Sequence, residues 1–176
     1  GDAVGRGFPQ GDAARTLTAW VRLPPGDSDR CVFDYGAKGG ASSSFHMFVD
    51  RAGQLGLGVG ATRLSAGPRI DDDRWHFIAV MVEGPETGRV RMVLDGREIA
   101  GRPLERRPDT RVSDYWTVGR FIEPAGYYRG RIDDVRLYGL ALDVAELGRR
   151  YEEGLRAARP TAAVPNLPAS KAGGRL

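Results

Sequence analysis

The sequence is poor in several things, and each shortage closes off a class of protein. Its 176 residues contain one cysteine, Cys31, which excludes an intrachain disulfide and any cysteine-based zinc cluster. The longest uninterrupted apolar run is Phe77–Val82, far short of the ~20 residues a membrane-spanning helix needs, so no membrane insertion is expected. Residues 1–15 mix Gly, Asp, Arg and Pro instead of the apolar run of an export leader, a lack that a mature or trimmed chain would share. Lysine is nearly missing: of 26 basic residues only Lys38 and Lys171 are lysine. Together with abundant Ala and Gly, that bias suits a GC-rich, bacterial genome. A basic surface is lacking too. The net charge of +3 resides in residues 157–176, where Arg159, Lys171 and Arg175 face no acid. The remaining body balances 23 basic against 23 acidic residues, so it lacks the electrostatic footprint of a nucleic-acid binder.

What is present reads as one globular domain over 1–156, followed by a flexible Pro/Ala-rich tail or linker over 157–176. The dominant period is two. In Thr16–Arg22 the apolar Leu17, Ala19 and Val21 alternate with Thr18, Trp20 and Arg22, a strand with two distinct faces. Further strands are expected over Arg30–Tyr35, Phe45–Asp50, Gln54–Gly60, Trp75–Glu83, Arg89–Leu94, Arg97–Ala100, Tyr115–Gly119 and Gly130–Tyr138. Asp95-Gly96 marks a tight hairpin, because a type I′ turn needs positive φ at both positions. Leu55, Leu57 and Val59 alternate with Gly56, Gly58 and Gly60, so one face of that strand is core and the other is bare enough for close approach. Trp75–Glu83 is apolar on both faces, as a doubly covered central strand requires. One helix is evident, begun by Asp143 with Glu146 three residues on, and carrying Val144, Leu147, Tyr151 and Leu155 on one face. Many short strands and one late helix describe an all-β, two-sheet antiparallel sandwich with one short C-terminal helix.

Several blocks carry a family resemblance. Thr16-Leu17-Thr18-Ala19-Trp20-Val21-Arg22, Asp73-Arg74-Trp75-His76-Phe77-Ile78-Ala79-Val80, Val93-Leu94-Asp95-Gly96-Arg97, Val118-Gly119-Arg120 and the closing Gly130-Arg131-Ile132-Asp133-Asp134-Val135-Arg136-Leu137-Tyr138 occur in this order. Together with Leu140-Ala141-Leu142 and Glu146, they resemble the laminin-G-like jelly-roll domain of the concanavalin A-like lectin/glucanase superfamily across residues 15–155. The departure is at the start, where only Phe8 could belong to the opening strand. That leaves an N-terminal sheet edge at which a neighbouring domain or subunit could add. The resemblance implies a jelly roll, an extracellular or cell-surface setting and a binding or adhesion role.

Catalysis is not expected. Glycoside cleavage requires two carboxyls flanking the bond, about 5–5.5 Å or about 6.5–9.5 Å apart. The superfamily's hydrolases are expected to draw them from an alternating Glu-x-Asp-x-Glu strand, a pattern this sequence does not contain. Asp71-Asp72-Asp73 reads as a solvated turn, Cys31 as a buried structural thiol and His76 as a packed, hydrogen-bonded histidine. His46 lies in a strand between Phe45 and Met47. Apolar spacing of three and then two from Ile132 to Val135 to Leu137 implies a β-bulge at Asp133-Asp134. By the resemblance, Asp133 is the candidate ligand for a structural Ca2+. Trp20, Trp75 and Trp116 are expected in the core. Sugar rings stack on exposed aromatic faces, so the aromatic-rich stretch around Tyr115, Phe121 and Tyr127, with Arg120 beside it, supplies the candidate ligand-binding residues. The sequence thus points to a non-catalytic module for a glycan or protein partner. The alternative is a structural domain that packs against other domains or subunits of a larger surface protein, enzyme or filament.

Overall fold

The computed structural model describes residues 7–37, 43–59, 62–105, 107–111, 116–121 and 127–157. The period-two segments become strands β1 (Arg15–Arg22), β2 (Arg30–Gly36), β3 (Ser44–Val49), β4 (Leu55–Val59), β5 (Thr62–Ala66), β6 (Trp75–Val82), β7 (Arg89–Leu94), β8 (Arg97–Pro103), β9 (Trp116–Val118) and β10 (Arg131–Tyr138), and helix α1 spans Val144–Ala157. They pair into two five-stranded sheets, ordered β10-β1-β6-β7-β8 and β5-β4-β3-β2-β9. Each pairing is antiparallel. The expected sandwich is therefore observed, with β5 as a strand the sequence reading did not anticipate.

Between the sheets lies one core. Leu17, Ala19 and Val21 of β1 and Ile78, Val80 and Val82 of β6 meet Phe45, Met47, Val49, Leu55 and Leu57 of the facing sheet, all buried. Each fully buried side chain of this size contributes about 1.5–3 kcal/mol, which explains why so strict an alternation holds. The other face of β6 is buried as well: Phe77, Ala79 and Met81 join Leu147 of α1 in a second cluster. That double burial is why Phe77–Val82 is a continuous apolar run.

Helix α1 begins where the Asp143 carboxylate accepts the Glu146 N–H at 2.6 Å, satisfying an otherwise orphaned donor of the first turn. Thr16 fixes the approach to it. Its hydroxyl donates to the Leu140 carbonyl at 2.8 Å and accepts the Leu142 N–H at 2.9 Å. On the far turn Tyr151 stacks on Trp20, with ring centroids 5.7 Å apart and planes 24° from parallel.

The Asp95-Gly96 turn has φ of 49° and 76° at its two residues, as its sequence demanded. Asp95 also accepts the Phe77 N–H and contacts His76 Nδ1, each at 2.9 Å, while Asp72 meets Nε2 at 3.1 Å. Hydrogen bonding to Asp95 outweighs the opposing effect of burial, and Asp72 reinforces it, so the His76 pKa is raised. The expected packed, hydrogen-bonded histidine is what the fold contains. Cys31 is buried likewise, and burial pushes its thiol pKa up. The bulge in β10 is present too: the register with β1 slips between Thr18 and Trp20, and Asp134 takes a φ of 48°.

The N-terminal segment is held by an arginine. Arg15 is fully buried and donates to the carbonyls of Gly11 at 2.7 Å and Ala13 at 2.9 Å and to the Tyr35 hydroxyl at 2.8 Å. That hydroxyl donates in turn to the Pro9 carbonyl at 3.0 Å. Phe8 docks edge-on against Tyr35, with ring centroids 5.2 Å apart.

Of the three aspartates at 71–73, Asp72 and Asp73 are exposed in a bend as expected, whereas Asp71 departs from the solvated-turn reading. Asp71 is buried, and its Oδ2 accepts from Arg30 Nη2 and Arg69 Nη2, each at 2.9 Å, and from the Gly26 N–H at 3.1 Å. Burial raises the cost of its charge, but Arg30, Gly26 and Arg69 outweigh that and hold the carboxyl below the usual range. Asp73 pairs with Arg22 in the open at 2.9 Å. The Asp71→Asn variant would leave Arg30 buried without its counter-charge, and is expected to lose about 3–5 kcal/mol of unfolding free energy in urea titration. Asp73→Asn, whose pair is exposed, is expected to leave the midpoint nearly where it was.

Candidate functional site

Helix α1 covers the outer face of one sheet, and no described helix covers the outer face of the other. Alternation selects what that second face presents. A bulge between Cys31 and Phe33 sets the register, after which Asp34 of β2 lies opposite His46 of β3, His46 opposite Gly58 of β4 and Gly58 opposite Arg63 of β5. In the neighbouring row Cys31, Phe48, Gly56 and Ser65 line up in the same way. Thr117 of β9 extends the first row beyond Asp34.

The bare face of β4 has an occupant. A Cβ on Gly58 would collide with the His46 imidazole, and a Cβ on Gly56 with the Phe48 ring. Both rings thus lie across the glycines of the next strand, which is the close approach that the alternating glycines foreshadow. Arg63 lies over the Phe48 ring, its guanidinium carbon 3.8 Å from the centroid, and pairs with Asp29. Its side chain nevertheless remains 47% exposed. The result is an aromatic floor with an accessible cation on it, an arrangement that draws on both cation–π attraction and the free donors of the guanidinium.

The residues after β9 complete the surface. Arg120 and Tyr127 face each other in an isolated antiparallel bridge, next to a hydrogen bond from the Tyr128 N–H to the Gly119 carbonyl of 2.9 Å. Arg120 is exposed and Tyr127 is 77% exposed. Phe121 is half-buried, edge-on to His46 at 5.5 Å and tilted against Phe48 at 6.2 Å. Of the four candidate ligand residues, Phe121 packs against the His46–Phe48–Arg63 floor, and Arg120, next to it in sequence, pairs with Tyr127. Tyr115 lies outside the described residues. Sequence reasoning missed His46, Phe48, Arg63 and Asp29 as members of this surface. The signal was the paired alternation of His46-x-Phe48 with Gly56-x-Gly58, which becomes meaningful once the two strands are known to be neighbours.

Two tryptophans expected in the core are not enclosed. Trp116 stacks on Phe33 at 6.3 Å and touches Phe8 at 6.5 Å, but β9 is an edge strand and leaves it 46% exposed. Trp75, the first residue of β6, is 41% exposed. Trp20 is packed, between Phe77 and Tyr151.

Asp133, the candidate calcium ligand, is exposed at the bulge, and its Oδ1 accepts the Asp134 N–H at 2.8 Å. Asp134 pairs with Arg136 at 2.6 Å. Calcium takes six to eight oxygens, and among the described residues no group of three or more His, Cys, Asp or Glu side chains gathers to hold a metal. No such acidic cluster surrounds Asp133, so a calcium there would take its remaining oxygens from backbone carbonyls, hydroxyls or water.

Comparison with known proteins agrees with the architecture. The sequence profile described as the concanavalin A-like lectin/glucanases superfamily, in its laminin-G-like branch, matches residues 5–148. The chain belongs to that family. No curated protein sequence matches it. Among solved structures, this lectin-like sandwich is similar to the CBM40 of the Ruminococcus gnavus IT-sialidase bound to α2,3-sialyllactose, with a TM-score of 0.67 and 17% identity over 79% of this chain and 83% of that one. It is also similar to the leech intramolecular trans-sialidase complexed with 2,7-anhydro-Neu5Ac (TM-score 0.64, 16% identity), where it covers 78% of this chain and 23% of that one. The binding domain of botulinum neurotoxin serotype D aligns with a TM-score of 0.60 and 9% identity, covering 81% of this chain and 37% of that one. At these identities the likeness is one of fold.

Burial and then the neighbouring Arg63 charge press the His46 pKa down to about 4, from an ordinary value of 6.5. The unfolded chain binds a proton in this window that the folded one refuses, so His46's contribution to stability is full above pH 6.5 and is lost as pH falls toward 4. The expected slope from this residue is up to about 1.4 kcal/mol per pH unit. Urea midpoints measured across pH 4–7 should show it in the parent and a flatter profile in His46→Gln.

Proposed function

We propose that this chain is a non-catalytic glycan-binding module acting outside the cytoplasm. Its ligand lies on the outer face of the β5-β4-β3-β2-β9 sheet, against Phe121 and Tyr127 and within reach of Arg120 and Arg63. The observation that carries the reading is Arg63, stacked on Phe48 beside Phe121 with its side chain half in solvent. Aromatic faces suit the C–H faces of sugar rings, and a guanidinium can grip a carboxylate with two parallel hydrogen bonds. An acidic sugar satisfies both. Family membership and a neighbour bound to sialyllactose support a sialylated glycan as the first ligand to try. Calcium at Asp133 is kept as a separate proposal, tested by chelation.

A second reading has one observation in its favour. Among the described residues, edge strand β9 pairs only with β2, and it exposes both Trp116 and Val118. Unpaired edges with apolar side chains invite strand addition from a neighbouring domain or subunit. On this reading the module is a structural one, and sugars leave it unmoved.

Titration calorimetry with α2,3-sialyllactose and with lactose, each with and without EDTA, separates these readings. Glycan recognition through Arg63 predicts that sialyllactose binds and lactose does not, and that Arg63→Gln weakens binding by about tenfold or more, the scale of one charge-assisted contact. Binding of both sugars alike would remove the guanidinium from recognition. Heat from neither would shift the weight to the assembly reading, and loss of binding in EDTA would implicate calcium.

A further inference from the structure

On the side of the molecule that carries α1 there is an indentation of about 400 Å³, lined by Trp20, Trp75, Asp133, Asp134, Gly154 and Leu155. Its construction is specific. Trp20 and Asp133 are cross-strand partners of β1 and β10. In a regular strand Asp133 and Asp134 would point to opposite faces. The bulge and the positive φ of Asp134 break that rule, and both residues line the same hollow. Gly154 is the other enabling residue: any Cβ there would strike the Trp20 indole, so the helix lies directly on the ring. Trp75 and Leu155 supply exposed apolar walls.

Charge selects the occupant. Two carboxylates line the hollow and no lysine or arginine does. Asp134 is answered by Arg136, whereas Asp133 makes no ion pair among the described residues. An anionic ligand is repelled by this lining, and a purely apolar one leaves the Asp133 charge without compensation. What fits is a cation with an apolar skin, attracted by the exposed Trp75 indole and by an unpaired carboxylate together.

We infer that the hollow is a binding site for an organic cation of the trimethylammonium type, distinct from the proposed glycan face and independent of it. Trp75, the exposed indole, provides the aromatic contact, Trp20 lines the wall beneath α1, and Asp133 provides the counter-charge. The bulge is the device that brings the carboxylate to the indoles.

Choline and its uncharged carbon isostere 3,3-dimethylbutan-1-ol form the test, each titrated into the intact chain and followed by tryptophan fluorescence and calorimetry. Choline is expected to bind at least about tenfold more tightly than the isostere, the signature of a charge-dependent aromatic site. Asp133→Asn, an exposed substitution, should abolish that difference while the thermal midpoint stays unchanged. Trp75→Ala should remove binding and Trp75→Phe should retain part of it. Equal affinity for the two probes, no binding of choline, or an unaltered preference in Asp133→Asn would each overturn the inference. So would calcium displacing choline through Asp133, because the hollow would then be a metal site.

Discussion

The seating of α1 on one sheet decides the character of both sides of the molecule. Leu147 sinks among Phe77, Ala79, Met81 and Val93, and Tyr151 stacks on Trp20. These contacts close the outer face of the β10-β1-β6-β7-β8 sheet and force β6 to be apolar on both sides. The facing sheet has no such cover among the described residues. Its outer side chains must find their own arrangement, and they do so by lying across glycines.

That arrangement links packing to chemistry. Gly56 and Gly58 give up side-chain packing in β4 so that Phe48 and His46 can lie flat on it. The flat Phe48 ring then supports Arg63, and Phe121 closes against both aromatic residues from the β9 side. Arg63 pairs with Asp29 through Nη2 and rests on an aromatic face, and the rest of its guanidinium keeps donors to offer. Architecture alone names no ligand, since this sandwich hosts unrelated functions. The claim for a glycan therefore depends on these particular residues.

Much of the fold was legible because its signals were local. Asp95-Gly96 specified its turn, Asp143 specified the start of α1, and the broken apolar spacing between Ile132 and Leu137 specified the bulge. The misreadings share a different cause, namely contacts between residues far apart in sequence. Asp71 looked like one of three solvated aspartates because Arg30, 41 positions away, was not visible as its partner. Trp116 was placed in the core because an apolar strand does not announce that it forms an edge. The short β5 lacks a strong pattern, with Arg63 and Ser65 outward and Leu64 inward, and its pairing with β4 defines it. The candidate site was half legible for the same reason. Aromatic density pointed to Phe121 and Tyr127, whereas His46, Phe48 and Arg63 become one surface only when three strands are laid side by side.

The central claim is that the face left uncovered by α1 is the one that meets the glycan. The direct test is a map of backbone amide chemical shifts during titration with α2,3-sialyllactose. The account predicts that the shifted residues cluster at Gly56, Gly58, Arg63, Thr117 and Arg120, with those of α1 unmoved. Shifts centred instead on Trp20, Trp75 and the Asp133 bulge would contradict it and place the sugar on the opposite side of the sandwich.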